Sequence, residues 1–387
     1  MSVIMKGSMA QRSSFVVAAS AALVASCDSR APSGSDPGGP TDVAALAPMN
    51  VPRAVHTQVL LDDGRALLAG GFDNAGHNHA STELYDSTTG RFVPGATMGA
   101  ARVDHTATVL DDGRVLIVGG FIGDALASAE LYDPASDRFV PAGRLRTARN
   151  GHKAVRLPDG RILIVGGDGP GGTFLASAEI FDPRIGQFTP TGSMAVARSS
   201  HTATLLPDGR VLVAGGHVGR QAQLQIYATA ELYDPVSGTF SPTGSMGRVR
   251  HKHDAAPLPD GRVLIVGGAD ARDDQGAYDS AEAYDPASGT FSPAGQMLWE
   301  RYKIQATTVP LLDGKLLLAG GALEAELYDP SGSVFQQVSG DFGDRPLFAA
   351  ATLLLDGSVL ITGGYGLHSY ARANAWLYKP PSATPRR

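Results

Sequence analysis

A doublet of glycines recurs seven times along this 387-residue chain, at Gly70-Gly71, Gly119-Gly120, Gly166-Gly167, Gly215-Gly216, Gly267-Gly268, Gly320-Gly321 and Gly363-Gly364, with spacings of 43 to 53 residues. Self-similarity at that period calls for stacked equivalent units, because one such unit cannot bury its own apolar faces. Each doublet ends an apolar run such as Arg114-Val115-Leu116-Ile117-Val118, and an Asp-Gly pair stands just before each run: Asp63-Gly64, Asp112-Gly113, Asp159-Gly160, Asp208-Gly209, Asp260-Gly261, Asp313-Gly314 and Asp356-Gly357. Asp-Gly between two apolar runs predicts a hairpin, here with a type I′ turn, so each unit opens with strands A and B. A third strand, C, follows in segments such as Ala129-Glu130-Leu131-Tyr132-Asp133-Pro134, and turn residues lead on to a fourth, D, at Phe92, Phe139, Phe188, Phe240, Phe291 and Phe335. The strand C aromatic precedes each of these phenylalanines by seven residues. The 48 glycines, the 18% of charged residues and the absence of a 3.6-residue period all agree with an all-β protein.

Four antiparallel strands in a repeat of this length, with the glycine doublet, the Asp-Gly turn and the tyrosine in register, resemble the kelch blade. The resemblance covers residues 43–380 and implies an all-β, seven-bladed kelch-type β-propeller with four antiparallel strands per blade. WD-type propellers lack this doublet. The last repeat ends with Trp376-Leu377-Tyr378-Lys379-Pro380, which matches strand C, and no strand D follows. Phe92, Phe139, Phe188, Phe240, Phe291 and Phe335 each lie ten residues before an arginine, the last being Arg345, and counting back ten from Arg53 reaches Val43. Thr41 to Pro48 is therefore expected to supply the outer strand of the last blade, removing a sheet edge.

The N-terminus reads as an export signal. Lys6 and Arg12 precede an apolar run from Phe15 to Ala25, too short to span a bilayer. The run ends in Leu23-Val24-Ala25-Ser26-Cys27, which resembles the bacterial lipobox and implies cleavage before Cys27 and its acylation. The expected organisation is a lipoprotein signal peptide over 1–26, a flexible tether over 27–40 rich in Ser, Pro, Gly and Asp, a propeller over 41–380, and a disordered tail over 381–387. Cleavage would take the formal charge from −6 to −8. That balance and the lack of a basic stripe exclude nucleic acid as an expected partner. The expected location is the bacterial cell envelope, periplasmic or surface-exposed, with the membrane reached through the lipid anchor alone.

Five repeats carry Arg-x-x-His at the start of strand A: Arg53/His56, Arg102/His105, Arg149/His152, Arg198/His201 and Arg250/His253; the last two repeats have Ile304 and Phe348 at the histidine position. A ring of imidazoles could hold a metal or an anion, but equivalent residues on separate blades do not converge on one point. Each histidine is expected to satisfy hydrogen bonds within its own blade. The strand C acids Glu83, Glu130, Glu179, Glu231, Glu282 and Glu326 are expected to pair with each blade's own arginine, and the aspartate after each tyrosine to open the C–D turn. No metal or other cofactor is called for: Asp73, His77 and His79 lack a firm third ligand partner, and the sequence holds no GxSxG, HExxH or phosphate-binding glycine loop.

Function is sought where the repeats differ. From the first glycine of the doublet to the strand C aromatic the spacing is 15, 13, 15, 18, 17, 8 and 15, so the B–C loops carry the variation. These loops share a face with the D–A linkers. Repeat six has almost no B–C loop, which predicts a notch in the rim. Around it stand Trp299 and Tyr302, the blade-seven loop with Tyr365, His368, Tyr370 and Arg372, and the blade-five loop with Asp270 and Arg272. Aromatics beside charged groups suit stacking on a sugar or gripping a peptide, so these eight residues are the ligand-binding candidates. The leading reading is a binding or scaffold module with a protein or glycan ligand and no evident catalytic site. The alternative is a carbohydrate-active enzyme or sugar-binding protein resembling galactose oxidase, whose propeller holds copper with two tyrosines, two histidines and a Tyr–Cys crosslink; here the sole cysteine is Cys27, so none of those ligands carries over.

Overall fold

In a computed structural model the described residues are 42–366 and 370–381. The signal segment, Cys27, the tether, His368 and residues 382–387 lie outside them. Blade one runs outward through strand A, Thr57–Leu60, strand B, Ala66–Ala69, strand C, Thr82–Asp86, and strand D, Arg91–Pro94. The same antiparallel order recurs in blades two to six, over 106–144, 153–190, 202–245, 254–301 and 308–337. Blade seven takes strands A to C from Ala350–Leu353, Val359–Thr362 and Ala375–Tyr378. Its fourth strand is Val43–Ala45, with Val43 opposite Tyr378 and Ala45 opposite Trp376. Each strand A touches the strand A of the next blade, and the seventh touches the first, so seven blades close a ring.

The apolar run of strand B is continuous because both of its faces are buried. Val115 and Ile117 pack toward blade one with Leu67 and Leu84, while Leu116 and Val118 pack toward blade three with Ile162 and Ile164. Seven such clusters, one between each pair of neighbouring blades, form the core. A fully buried Val, Leu or Ile contributes roughly 1.5–3 kcal/mol, against about 0–1 for a surface ion pair, so these layers hold the ring. The seven-residue spacing of Tyr and Phe has a direct cause: Tyr85 lies opposite Phe92 across strands C and D, with ring centroids 4.8 Å apart.

Two expectations need correction. The A–B turn is not type I′. Leu61 N–H bonds Arg65 C=O at 2.8 Å, Gly64 N–H bonds Leu61 C=O at 3.0 Å, and only Gly64 takes positive φ, at 87°. That is a three-residue loop closed by a glycine bulge. The aspartate serves another purpose: Asp63 carboxylate oxygens accept from the Arg65 backbone at 3.0 Å and its guanidinium at 2.6 Å. The second correction concerns blade seven. Gly321 N–H bonds the carbonyl of Pro346 at 3.2 Å, as Gly71 N–H bonds that of Arg102 at 2.9 Å. Pro346, not Arg345, therefore fills the arginine position and Ala349, not Phe348, the histidine position. The extra residue lies in the D–A linker.

The doublet is glycine for steric reasons. Gly70 has φ 68°, and a Cβ there would meet the Arg102 carbonyl of the next blade at 2.5 Å.

Removing the closing strand should open blade seven. Val43 and Met49 are both 3% exposed. A chain starting at Val51 should therefore be about 3–6 kcal/mol less stable than one starting at Thr41, or should aggregate through the bared edge. Denaturant unfolding of the two proteins checks this, and equal midpoints would refute closure by this strand.

Candidate functional site

Each repeat arginine is fully buried and joins its own blade's acid. Arg53 Nε donates to Glu83 Oε1 at 3.1 Å and its Nη1 to the carbonyls of Gly70 and Ser81 at 2.7 and 2.9 Å. Arg102–Glu130, Arg149–Glu179, Arg198–Glu231, Arg250–Glu282 and Arg301–Glu326 repeat the pair at 2.6–3.1 Å. The acid's remaining capacity goes to the D–A linker, as when Glu83 Oε2 accepts from Asn50 N–H at 2.7 Å. These carboxylates are thus consumed structurally. Blade seven replaces the pair with Pro346 and Trp376, and Phe342 packs edge-on against Trp376 at 5.3 Å. The aspartates after the tyrosines open the C–D turns, as Asp86 Oδ1 does by accepting from Thr88 N–H at 2.8 Å.

The histidines bond across blades, not within their own. His105 Nε2 meets Thr57 Oγ1 of blade one at 3.0 Å, His152 meets Thr106 at 3.0 Å, His253 meets Thr202 at 3.2 Å, and His56 meets Thr362 of blade seven at 2.9 Å. The strand A edge is where neighbouring blades come closest, so the partner hydroxyl comes from next door. In blade three Lys153 takes the threonine position, and neither ring nitrogen of His201 has a partner. Burial, reinforced by the adjacent arginine, pushes His56 and His105 down to about 3, and drives His152, His201 and His253 well below the ordinary range. The channel inside this ring holds a cavity of about 210 Å³ lined by His56, Gln58, Asp104, His105, His152 and Lys153. Burial lifts Asp104 to about 6, opposed by Lys153.

Just outside the histidines runs a belt of left-handed residues: Val55, Asp104, Gly151, Ser200, Lys252, Lys303 and Phe348, with φ between 51° and 60°. Their amides link blade to blade: Gly151 N–H to Asp104 C=O at 3.0 Å, Lys252 to Ser200 at 3.1 Å, Lys303 to Lys252 at 2.9 Å, Phe348 to Lys303 at 2.8 Å and Val55 to Phe348 at 3.2 Å. The backbone of the belt is conserved in form while its side chains differ from blade to blade.

Beside the belt, on the D–A and B–C face, the non-repeated side chains gather. Lys303 Nζ lies 4.8 Å from the Tyr302 ring centroid and 5.5 Å from that of Tyr365, and Tyr365 packs against Phe348 at 5.9 Å and Phe72 at 6.3 Å. Lys252 Nζ donates to Asp273 Oδ1 at 2.7 Å, and Lys303 lies 3.9 Å from Asp273 Oδ2. His251 and His217 meet edge to face at 5.1 Å, and Phe174 packs on His217 at 5.5 Å.

Of the sequence candidates, Tyr302 and Tyr365 belong to this cluster. Tyr302 is 8% exposed, so it braces Lys303 and does not offer the open stacking face expected of it. Burial raises the Tyr365 hydroxyl above its ordinary range. Trp299 is half-buried in the extended strand D of blade five, under the Arg301 guanidinium at 5.9 Å. Arg372 pairs with Asp344 of the linker, and Asp270 and Arg272 pair with each other at 2.7 Å. Tyr370 is 63% exposed. Lys252, His217 and His251 were missed. The signal lay in the two residues between each arginine and its histidine and in the residue after each doublet, where repeats otherwise alike carry unlike side chains. In blade one, Asp73 is occupied by its own loop, accepting from Ala75 and His77 N–H at 2.9 Å.

The Kelch motif matches three stretches, residues 101–146, 149–195 and 198–247. The chain is a seven-bladed propeller with kelch motifs. No curated protein matches it in sequence. A fungal alcohol oxidase of the AA5 family, solved in complex with copper, is similar in fold, with a TM-score of 0.68 at 19% identity over 90% of this chain and 78% of the oxidase. The kelch propeller's own residues do not fit a copper centre of the galactose oxidase kind: its one cysteine is Cys27, and among the described residues no three His, Cys, Asp or Glu side chains are grouped to hold a metal.

The buried histidines make stability depend on pH. A histidine that ionises near 6.5 when unfolded and near 3 when folded stabilises the native state above the higher value and loses that contribution as pH falls toward the lower. Asp104, raised to about 6, acts oppositely between about 4 and 6, as do Asp168 and Asp254, also raised by burial, but these are three carboxylates against eight lowered histidines. The melting temperature should fall steeply from pH 7 to pH 4, and less steeply in His105→Asn. A flat profile over that range in a thermal scan would contradict the neutral ring.

Proposed function

We propose that this kelch propeller is a non-catalytic binding module, held at the bacterial cell envelope through Cys27, which meets a protein or glycan ligand on the D–A and B–C face. One observation carries the reading: the repeats stay alike wherever they build blades and diverge around Lys252, Lys303, Tyr302, Tyr365 and Asp273, all on that face. Kelch propellers are often protein-binding. A sugar ligand, with or without turnover, is the second reading, favoured by the imidazoles and aromatic rings gathered there.

A glycan array run beside a pulldown from envelope extract tests the face. Tyr370→Ala and Trp299→Ala should fold normally and weaken the captured ligand by roughly 1–3 kcal/mol, while Val196→Ala should bind as wild type. Normal binding by both aromatic variants would place the ligand elsewhere. In detergent phase separation wild type should enter the detergent and Cys27→Ser should not; equal partitioning would remove the anchor.

A further inference from the structure

Two observations beside the belt ask for an occupant. His251 is 3% exposed, and neither of its ring nitrogens has a hydrogen-bond partner; Asp273 Oδ1 lies 3.9 Å from Nε2, beyond hydrogen-bond reach. His217, packed against it, leaves Nδ1 unpartnered as well. Buried polar atoms without partners are uncommon, and two adjacent imidazoles in that condition mark a place where a polar group belongs. The second observation is charge. Lys252 and Lys303 share the single carboxylate of Asp273. Lys252 holds it at 2.7 Å, and Lys303 is left with a long bond to Tyr302 Oη at 3.4 Å and N–H donors to spare. Asp274, the next residue, is exposed and makes no ion pair with either lysine. Arg220 is already answered by Asp168 at 3.2 Å.

The chemistry of each half differs. Burial and the nearby Lys252 push His217 and His251 down to about 4 and about 3, so both rings are neutral at physiological pH. A neutral imidazole offers one donor and one acceptor, which matches a hydroxyl group, itself both donor and acceptor. Lys303 offers a full positive charge, partly desolvated between two aromatic rings, which matches a carboxylate.

We propose that this patch binds a hydroxylated carboxylate of the sugar-acid class, its carboxylate on Lys303 and its hydroxyls on His251 and His217. The proposal rests on the reading of this face as the binding face and names the ligand class. A pyranose uronate and an open-chain sugar acid share the required groups.

Isothermal titration of the full chain with D-glucuronate, D-gluconate, D-glucose and acetate tests it. Glucuronate or gluconate should bind, the stronger of the two identifying the ring or open-chain form, while glucose and acetate should bind at least about tenfold more weakly, each lacking one half of the recognition. Lys303→Met should lower sugar-acid affinity by about tenfold or more, and His251→Phe should lower it while leaving the thermal midpoint intact. Arg138→Met, which removes the same charge from an exposed site on strand D of blade two, should change nothing. Glucose equal to glucuronate, or full affinity in Lys303→Met, overturns the assignment of the carboxylate. If neither sugar acid binds but a glycan or protein is captured in a manner lost in Tyr370→Ala, the ligand class is wrong and the binding face stands. If ligand capture ignores every variant of this face, both fall.

Discussion

In six of the seven blades the junction with the neighbouring blade is organised by a buried arginine that belongs to two blades at once. The side chain of Arg102 reaches into blade two, donating to Gly119 C=O at 2.7 Å, Ser128 C=O at 3.0 Å and Glu130 at 2.6 Å, while its backbone carbonyl takes Gly71 N–H of blade one at 2.9 Å and its N–H bonds His79 C=O at 3.0 Å. A buried guanidinium is tolerable only when charge and donors are answered together. Glu130 answers the charge, and the Gly119 and Ser128 carbonyls with Ser128 Oγ answer the Nη donors, leaving Nε alone without a partner. The acid in turn fixes the linker by accepting from Gly99 N–H at 2.6 Å. Strand A's start, strand B's end, strand C and the linker are thereby pinned at one point. The glycine doublet follows from this, since the arginine carbonyl leaves no room for a Cβ.

Much of this was legible because each repeated residue has a repeated contact. The Tyr and Phe spacing is a cross-strand pair, the apolar B run is a strand buried on both faces, and the Glu of strand C is the arginine's partner. Three things were not legible, each for a physical reason. The turn type depends on φ at Asp62 and Asp63, and Asp-Gly serves a glycine-bulge loop as readily as type I′. The one-residue slip at blade seven hid because Arg345 precedes Pro346, which fills the arginine's place once Trp376 has removed the acid. The histidine hydroxyl partners come from the neighbouring blade, a relation that no spacing within one repeat encodes.

The candidate site was half legible. Loop length pointed to the face on which the unlike side chains gather, and Tyr302 and Tyr365 emerged from it, but reading aromatics in long loops passed over single positions inside the framework. Lys252 and Lys303 occupy belt sites whose backbone amides bond to the preceding blade as those of Gly151 and Val55 do. Because the backbone carries the structural duty there, the side chain is free to vary. Asp273 shows the same economy: Asp270 and Arg272 hold the loop tip and Asp273, at φ 56°, turns toward the lysines. Seven-fold regularity builds the ring, and its exceptions gather on one face.

The arginine–glutamate pair is the central claim, and a double-mutant cycle on Arg149 and Glu179 measures it most directly. Denaturant unfolding should show Arg149→Met losing about 3–5 kcal/mol, because Glu179 is left buried and uncompensated. Arg149→Met with Glu179→Met should cost much less than the sum of the single changes, approaching the apolar solution that Trp376 and Phe342 provide in blade seven. A near-neutral Arg149→Met, or strict additivity of the two substitutions, would contradict the account.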